Sequence, residues 1–308
     1  MTFFFEVLIG GLLSGVLYAL VALGFVLIFK ASGVFNFAQG AMVFFAALTF
    51  VGFTEVLPGW TGLEEGGSAV FWLAFVLALG AMIVLGIATE KVVLRPLVNQ
   101  PPITLFMATI GLTFLVEGIA QGLWGAAVRG LSLGIEDEPV MWILDRFEMI
   151  ISKFDVIAAA VALVLFVLLA ALFQYTKVGR ALRAVADDHQ AALSVGIPLK
   201  HIWAIVWGVA GFVALVAGLI WGARNGVQFA LTFTALKALP VLILGGFTSV
   251  PGAILGGLII GASEKLGEVY IGPYMGGGID SWFPYMLALL FLLVRPEGLF
   301  GEKHIDRV

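Results

Sequence analysis

The run TKVGRALRAVADDHQAALSVGIP, Thr176–Pro198, is a polar interruption in a chain that on either side is apolar enough to sit in lipid. Arg180, Arg183, Asp187 and Gln190 recur at helical spacing and share one stripe, while Leu182, Val185, Ala186 and Leu193 take the opposite side. Arg183 and Asp187 stand one helical turn apart, within reach of an ion pair. The pattern predicts a short amphipathic helix over about 177–198. By itself it fits a solvated loop helix as well as a helix held at a membrane surface, so the flanks have to decide.

The flanks are decisive about the solvent. Of the 308 residues, 61% are hydrophobic and only 12% charged, with a mean hydropathy of +1.11, which no ordinary soluble domain shows. Crossing about 30 Å of hydrocarbon takes roughly 20 apolar residues as helix. Candidate spans are Val7–Phe29, Ala41–Leu57, Ala69–Thr89, Ile103–Trp124, Val156–Gln174, Ile202–Ala223, Leu231–Phe247, Pro251–Ile271 and Ser281–Val294. A β-barrel would show short alternating segments with polar lumen positions, and these are missing. The fold class is therefore an all-α polytopic membrane protein of eight or nine transmembrane helices. Residues 1–308 read as one membrane domain, with no room for a soluble extra one. The start, MTFFFEVLIGG, has no basic region and its apolar run meets no small-residue cleavage site, so it is expected to be a retained first span. There is no cysteine, which removes disulfides and thiolate metal sites.

Lys and Arg orient the spans. Lys91 and Arg95, then Lys177, Arg180, Arg183 and Lys200, then Arg295, Lys303 and Arg307 mark cytoplasmic sides. Glu6, the Glu55–Gly67 loop and the Tyr270–Asp280 loop carry no basic residue and belong outside. Gly125–Asp155 mixes Arg129, Arg146 and Lys153 with six acidic residues, and its place in the order puts it outside as well. Nine crossings satisfy these sides if Leu231–Phe247 goes fully across; if it dips and returns, the count is eight.

Gly and polar residues break the helices twice, at SGVFNFAQG (Ser32–Gly40) and GGFTSVPG (Gly245–Gly252), once in each half of the chain. Irregular backbone at membrane depth is tolerated where it lines protein or a water-filled cavity, so paired breaks point to a transport pathway; plain interfacial turns are the other possibility. Gly11 and Gly15, Gly252 and Gly256, and Gly257 and Gly261 let helix backbones approach closely, as packing within the chain or as a subunit contact. Charges inside apolar spans cost about 2.5–3.5 kcal/mol each. Glu117, Lys237, Glu264 and Lys265 are such charges: each faces a polar path, pairs across the bundle or, for a lysine, reaches for headgroups.

Enzyme machinery is missing. His189, His201 and His304 are scattered, and there is no HExxH, no GxSxG elbow and no GxxxxGK[ST] loop, so catalysis is not expected and any nucleotide must be handled by a partner. No ring of charges suggests an ion-selective pore, and no basic–aromatic interleaving suggests nucleic acid.

VFNFAQG (Val34–Gly40), GRALRAVADDHQAALSVGI (Gly179–Ile197), LGGFTSVPGAILGGLIIGASE (Leu244–Glu264) and RPEGLFG (Arg295–Gly301) together resemble, in order and spacing, the LivH-type permease subunit of bacterial branched-chain amino acid ABC importers. Gln39 departs from the His that many such permeases carry. The resemblance implies an ABC importer permease bundle in the bacterial cytoplasmic (inner) membrane. Its implied partners are a second, LivM-like permease chain, two cytoplasmic ATPase subunits that bind the ATP, and an extracytoplasmic substrate-binding protein. This chain itself would hold no cofactor and no metal. The resemblance makes the 177–198 segment the coupling helix, with Arg180, Arg183, Asp187 and Asp188 as contacts to the ATPase and Gly196 as an αL cap. Asn36, Phe37, Gln39, Thr248 and Ser249 would line the translocation pathway, with Glu117. The implied cargo is a branched-chain or other small neutral or zwitterionic amino acid, with urea and short amides as alternatives within similar permeases. A stand-alone transporter driven by H⁺ or Na⁺ through Glu117 is the alternative from another class.

Overall fold

The computed structural model describes residues 2–97, 100–187 and 189–301, and most of them are helical. In chain order the helices are α1 (Thr2–Ser32), α2 (Gln39–Thr61), α3 (Ser68–Ala88), α4 (Pro102–Trp124), α5 (Met141–Phe147), α6 (Lys153–Tyr175) and α7 (Lys177–Asp187). They continue as α8 (His189–Ser194), α9 (Leu199–Asn225), α10 (Leu231–Gly245), α11 (Val250–Tyr270), α12 (Gly272–Met275) and α13 (Phe283–Val294). The chain divides into two compact units. One comprises Met1–Val26, Gly134–Gln174 and Ala235–Val308; the other comprises Leu27–Leu133 and Tyr175–Thr234.

The first unit is built on glycine. Side chains at Gly11 and Gly15 would strike the carbonyls of Gly261 and Gly257, and those at Gly257 and Gly261 would strike α1 in return, so α1 and α11 lie backbone to backbone. The small-residue spacing is thus used for packing within the chain. α10 and α11 form a bent pair with a 114° change of direction. Pro240 interrupts α10, Gly246 at the bend has φ 99°, and Gly252 and Gly256 admit the carbonyls of Gly245 and Val241. The last carbonyls of α10, which have no partner inside the helix, accept the N–H groups of Leu299 (2.8 Å, to Leu244) and Phe300 (3.2 Å, to Gly245). The RPEGLFG segment is therefore the cap of α10. α6 buries Ala158, Ala162, Leu165, Phe166 and Leu169 and turns Val164, Val167 and Leu168 outward, the one-sided pattern of a helix facing lipid or another subunit.

In the second unit α2, α3 and α9 pack on one another and α4 packs on α2. Again glycine sets the approach: Gly86 lies against Trp207, Gly211 against Met82, Gly218 against the Val43 carbonyl and Gly52 beneath the Trp124 ring. α3 continues as a π-turn, Thr89–Leu94, in which buried Glu90 accepts Arg95 through both Nε (3.2 Å) and Nη2 (3.1 Å).

The number of straight spans is lower than the eight or nine expected. Six described helices are long and apolar enough to cross, or seven if the bent α10–α11 pair counts as one span. Leu231–Phe247 was expected to cross alone, but α10 has 15 residues, about 22 Å at 1.5 Å per residue, before it turns. α13 has 12 residues, about 18 Å, where Ser281–Val294 was expected to span. The first span runs longer than the expected Val7–Phe29, from Thr2 to Ser32. Within the amphipathic segment, α7 and α8 flank Asp188, which lies outside the described residues. Leu193, expected on the apolar side, is exposed, while Ala192 is buried.

Candidate functional site

The break after α1 is organised by side chains that the local sequence supplies. α1 ends where Gly33 takes φ 67°, and the orphan carbonyl of Ala31 accepts the indole N–H of Trp203 at 3.1 Å. Asn36 Oδ1 accepts the N–H of Ala38 (3.2 Å) and Asn36 Nδ2 donates to Gln39 Oε1 (3.4 Å), which fixes the entry to α2. Both side chains are wholly buried, and Gln39 Nε2 finds no acceptor among the described residues. Phe37 meets Phe106 of α4 edge-on at 5.8 Å.

From this break a polar row climbs α4. Thr109, Thr113, Glu117 and Gln121 follow at steps of four residues and so share one face. Thr109 Oγ1 donates to the carbonyl of Phe35 at 3.1 Å, and Thr113 Oγ1 to that of Thr109 at 3.0 Å. Glu117 is 6% exposed, and no cation among the described residues pairs with it. The Thr232 hydroxyl lies beside its carboxylate without closing a well-aligned hydrogen bond. One turn further along α4, Gln121 lines a pocket of about 320 Å³ together with Gln228, Phe44, Phe229 and the chain at 125–127. The rim is fastened at Arg129, whose backbone pairs with Val227 in both directions (3.0 and 2.8 Å) and whose guanidinium reaches Glu55 and the Trp124 carbonyl. Asn36, Phe37, Gln39 and Glu117, expected on the pathway, thus belong to one unit.

Thr248 and Ser249 belong to the other unit. Ser249 Oγ accepts the N–H of Gly252 at 3.0 Å, which makes it the N-cap of α11, and Thr248 is half-buried beside it. The charges of that unit pair with one another. Glu264 Oε1 accepts the Tyr18 hydroxyl (3.1 Å) and Lys237 Nζ (2.9 Å), Lys237 also reaches Asp280 Oδ2 (3.3 Å), and its ammonium stands 5.9 Å from the Tyr18 ring centre. Asp280 is presented by a loop whose N–H groups at Gly278, Ile279 and Asp280 all donate to the Glu268 carboxylate. Of the roles open to Lys237 in the sequence, pairing across helices is the one it takes.

α7 begins at Thr176, whose hydroxyl accepts the N–H of Gly179 at 3.0 Å as an N-cap. Leu182, Val185 and Ala192 are buried, whereas Arg180 is exposed and Arg183 half-buried. Gly196 has φ 83°; its N–H bonds Leu193 O and that of Ile197 bonds Ala192 O, both at 3.0 Å, closing α8 in a Schellman turn. Asp188 lies outside the described residues, as do the side chains of Asp187 and Gln190.

The chain matches a known family model, described as the permease component of the branched-chain amino acid transport system, over residues 7–295. The chain belongs to that family. The permease is similar to the high-affinity branched-chain amino acid transport system permease protein LivH of Salmonella typhimurium, with 27% identity covering 99% of this chain and 98% of the relative. LivH of Escherichia coli gives the same identity and coverage. The permease protein BraD of Pseudomonas aeruginosa is 26% identical, again covering 99% of this chain and 98% of the relative. The chain is thus a multi-pass membrane permease subunit of an ABC importer, which works with ATPase and substrate-binding subunits.

Sequence reasoning singled out Glu117 alone and passed over Thr109, Thr113 and Gln121, although their four-residue spacing was in plain view. The Tyr18, Glu264, Lys237 and Asp280 cluster had no such signal, because its members come from four segments.

Proposed function

We propose that this permease carries branched-chain amino acids, or zwitterionic solutes of similar size, into the cytoplasm by alternating access. The drive comes from two ATPase subunits that bind the ATP and grip α7–α8. A second, LivM-like permease chain completes the path, an extracytoplasmic binding protein delivers the cargo, and the assembly sits in the bacterial inner membrane. The carrying observation is the α7–α8 pair: it lies between α6 and α9, anchors itself through Leu182, Val185 and Ala192, and leaves Arg180 exposed. A short helix held that way passes a push from a soluble partner to the helices on both sides as a rigid-body movement. Arg180, Arg183, Asp187, Asp188 and Gly196 are the residues assigned to that grip.

Reconstitution in vesicles tests the proposal. The complete assembly should take up leucine only with ATP, and Arg180→Glu with Arg183→Glu should abolish ATP-driven uptake and release the ATPase subunits during purification. Uptake by the purified chain alone under a proton or sodium gradient, lost in Glu117→Gln, would replace this reading with ion-coupled transport.

A further inference from the structure

α4 and the chain entering α10 come together at two polar pairs. Glu117 lies beside Thr232, and one turn on, Gln121 and Gln228 line the same pocket. The register is consistent, because the step from Glu117 to Gln121 equals that from Thr232 back to Gln228. Four residues of α-helix rise about 6 Å, so Glu117 lies one turn along α4 from the pocket, on the same face as Gln121, which lines it. Phe44 and Phe229 supply apolar walls, and the volume of about 320 Å³ is at the small end of ligand pockets. A buried carboxylate without a cation is costly in an apolar helix and invites one from outside.

We infer that this pocket and the helix face beside it form a cargo site within the permease itself, in which Glu117, one turn from the pocket, receives the ammonium group of an α-amino acid. Gln121 and Gln228 donate their amide N–H groups to its carboxylate, and Phe44 and Phe229 hold a small apolar side chain. The inference rests on the importer reading and adds to it a chemical selection made by the permease after the binding protein has released its load. It sets a requirement on the cargo that size alone does not: a positive group must reach the carboxylate. A neutral solute of equal size would leave Glu117 uncompensated and gain little from the pocket.

Because the chain has no cysteine, one introduced at Ala127 on the pocket wall reports occupancy without background. In vesicles holding the complete importer, saturating leucine should slow maleimide labelling of Ala127→Cys at least fivefold. The deaminated acid of the same carbon skeleton should not. Glu117→Gln in that background should abolish leucine protection, while Glu117→Asp keeps part of it. Labelling without leucine should stay within twofold of the parent in each variant, which separates a lost ligand from a lost fold. Equal protection by the deaminated acid, or protection that survives Glu117→Gln, overturns this inference alone. Absence of ATP-dependent leucine uptake by the parent vesicles overturns the importer reading and this inference together.

Discussion

Two buried carboxylates in the same chain are treated in opposite ways. Glu264, 7% exposed, holds a lysine at 2.9 Å and a tyrosine hydroxyl at 3.1 Å, and its lysine is shared with Asp280. Glu117, 6% exposed, has a threonine beside it and no cation among the described residues. Each would cost a few kcal/mol if left bare in an apolar helix. Around Glu264 the cost is offset by groups drawn from α1, α10 and the loop before α13, and the cluster closes the bent α10–α11 pair. At Glu117 no group among the described residues offsets it except the Thr232 hydroxyl beside it. A charge that the fold has neutralised for itself is part of the frame; a charge left open next to a pocket is available to something that arrives and leaves.

That contrast can be broken first at Lys237. Lys237→Ala strands Glu264 with Tyr18 as its one remaining partner, and loss of one member of a buried pair costs about 3 kcal/mol or more. We expect a clear fall in Tm for the detergent-purified chain and loss of monodisperse protein on gel filtration. An unchanged Tm would show that the cluster is not what secures α10 against α11. The next effect in size is at the α1–α11 contact. Gly15→Val drives side-chain atoms into the Gly257 carbonyl and should cost about 1–3 kcal/mol, the range for overpacking. Gly10→Val, where nothing lies within 4 Å, is the matched control and should leave Tm unchanged.

The outlines of most spans were legible because long apolar runs admit no other structure in a chain of this composition. α2, α4, α6 and α9 fall within a few residues of the runs that announce them. The glycine contacts were legible too, since a spacing of four places two glycines on one face whatever the partner is. The bend between α10 and α11 was not. Pro240 and Gly245–Gly246 mark an interruption, but the 114° turn is set by Gly252 and Gly256 meeting the backbone of the preceding arm. Ser249 adds a local detail the break alone did not show: its hydroxyl caps α11. Leu193, placed on the apolar stripe by its spacing, is exposed in the last turn of α8, where Ala192 is buried. The Lys237 cluster was least visible of all, since Tyr18 and Glu264 are 246 residues apart.

Smaller effects sharpen the comparison. Ser249→Ala removes the acceptor for the Gly252 N–H and should cost about 1 kcal/mol, read as a modest fall in Tm, with Ser249→Thr close to the parent. A fall as deep as that of Lys237→Ala would mean that the hydroxyl does more than cap α11.

The smallest expected change is the most informative. Glu117→Gln keeps the shape of the side chain and its reach toward Thr232, breaks no ion pair, and removes a charge that no described cation balances. With no partner stranded, the stability change should stay within about 0.5 kcal/mol and could even favour the variant, because the desolvation cost of the charge is gone. The check is a side-by-side melt of Glu117→Gln and Lys237→Ala without amino acid, followed by the same melt with leucine. The parent should gain Tm on adding leucine by mass action, and Glu117→Gln should gain none. If Glu117→Gln instead unfolds as readily as Lys237→Ala, the carboxylate belongs to the frame after all, and both halves of the molecule use their buried acids in the same way.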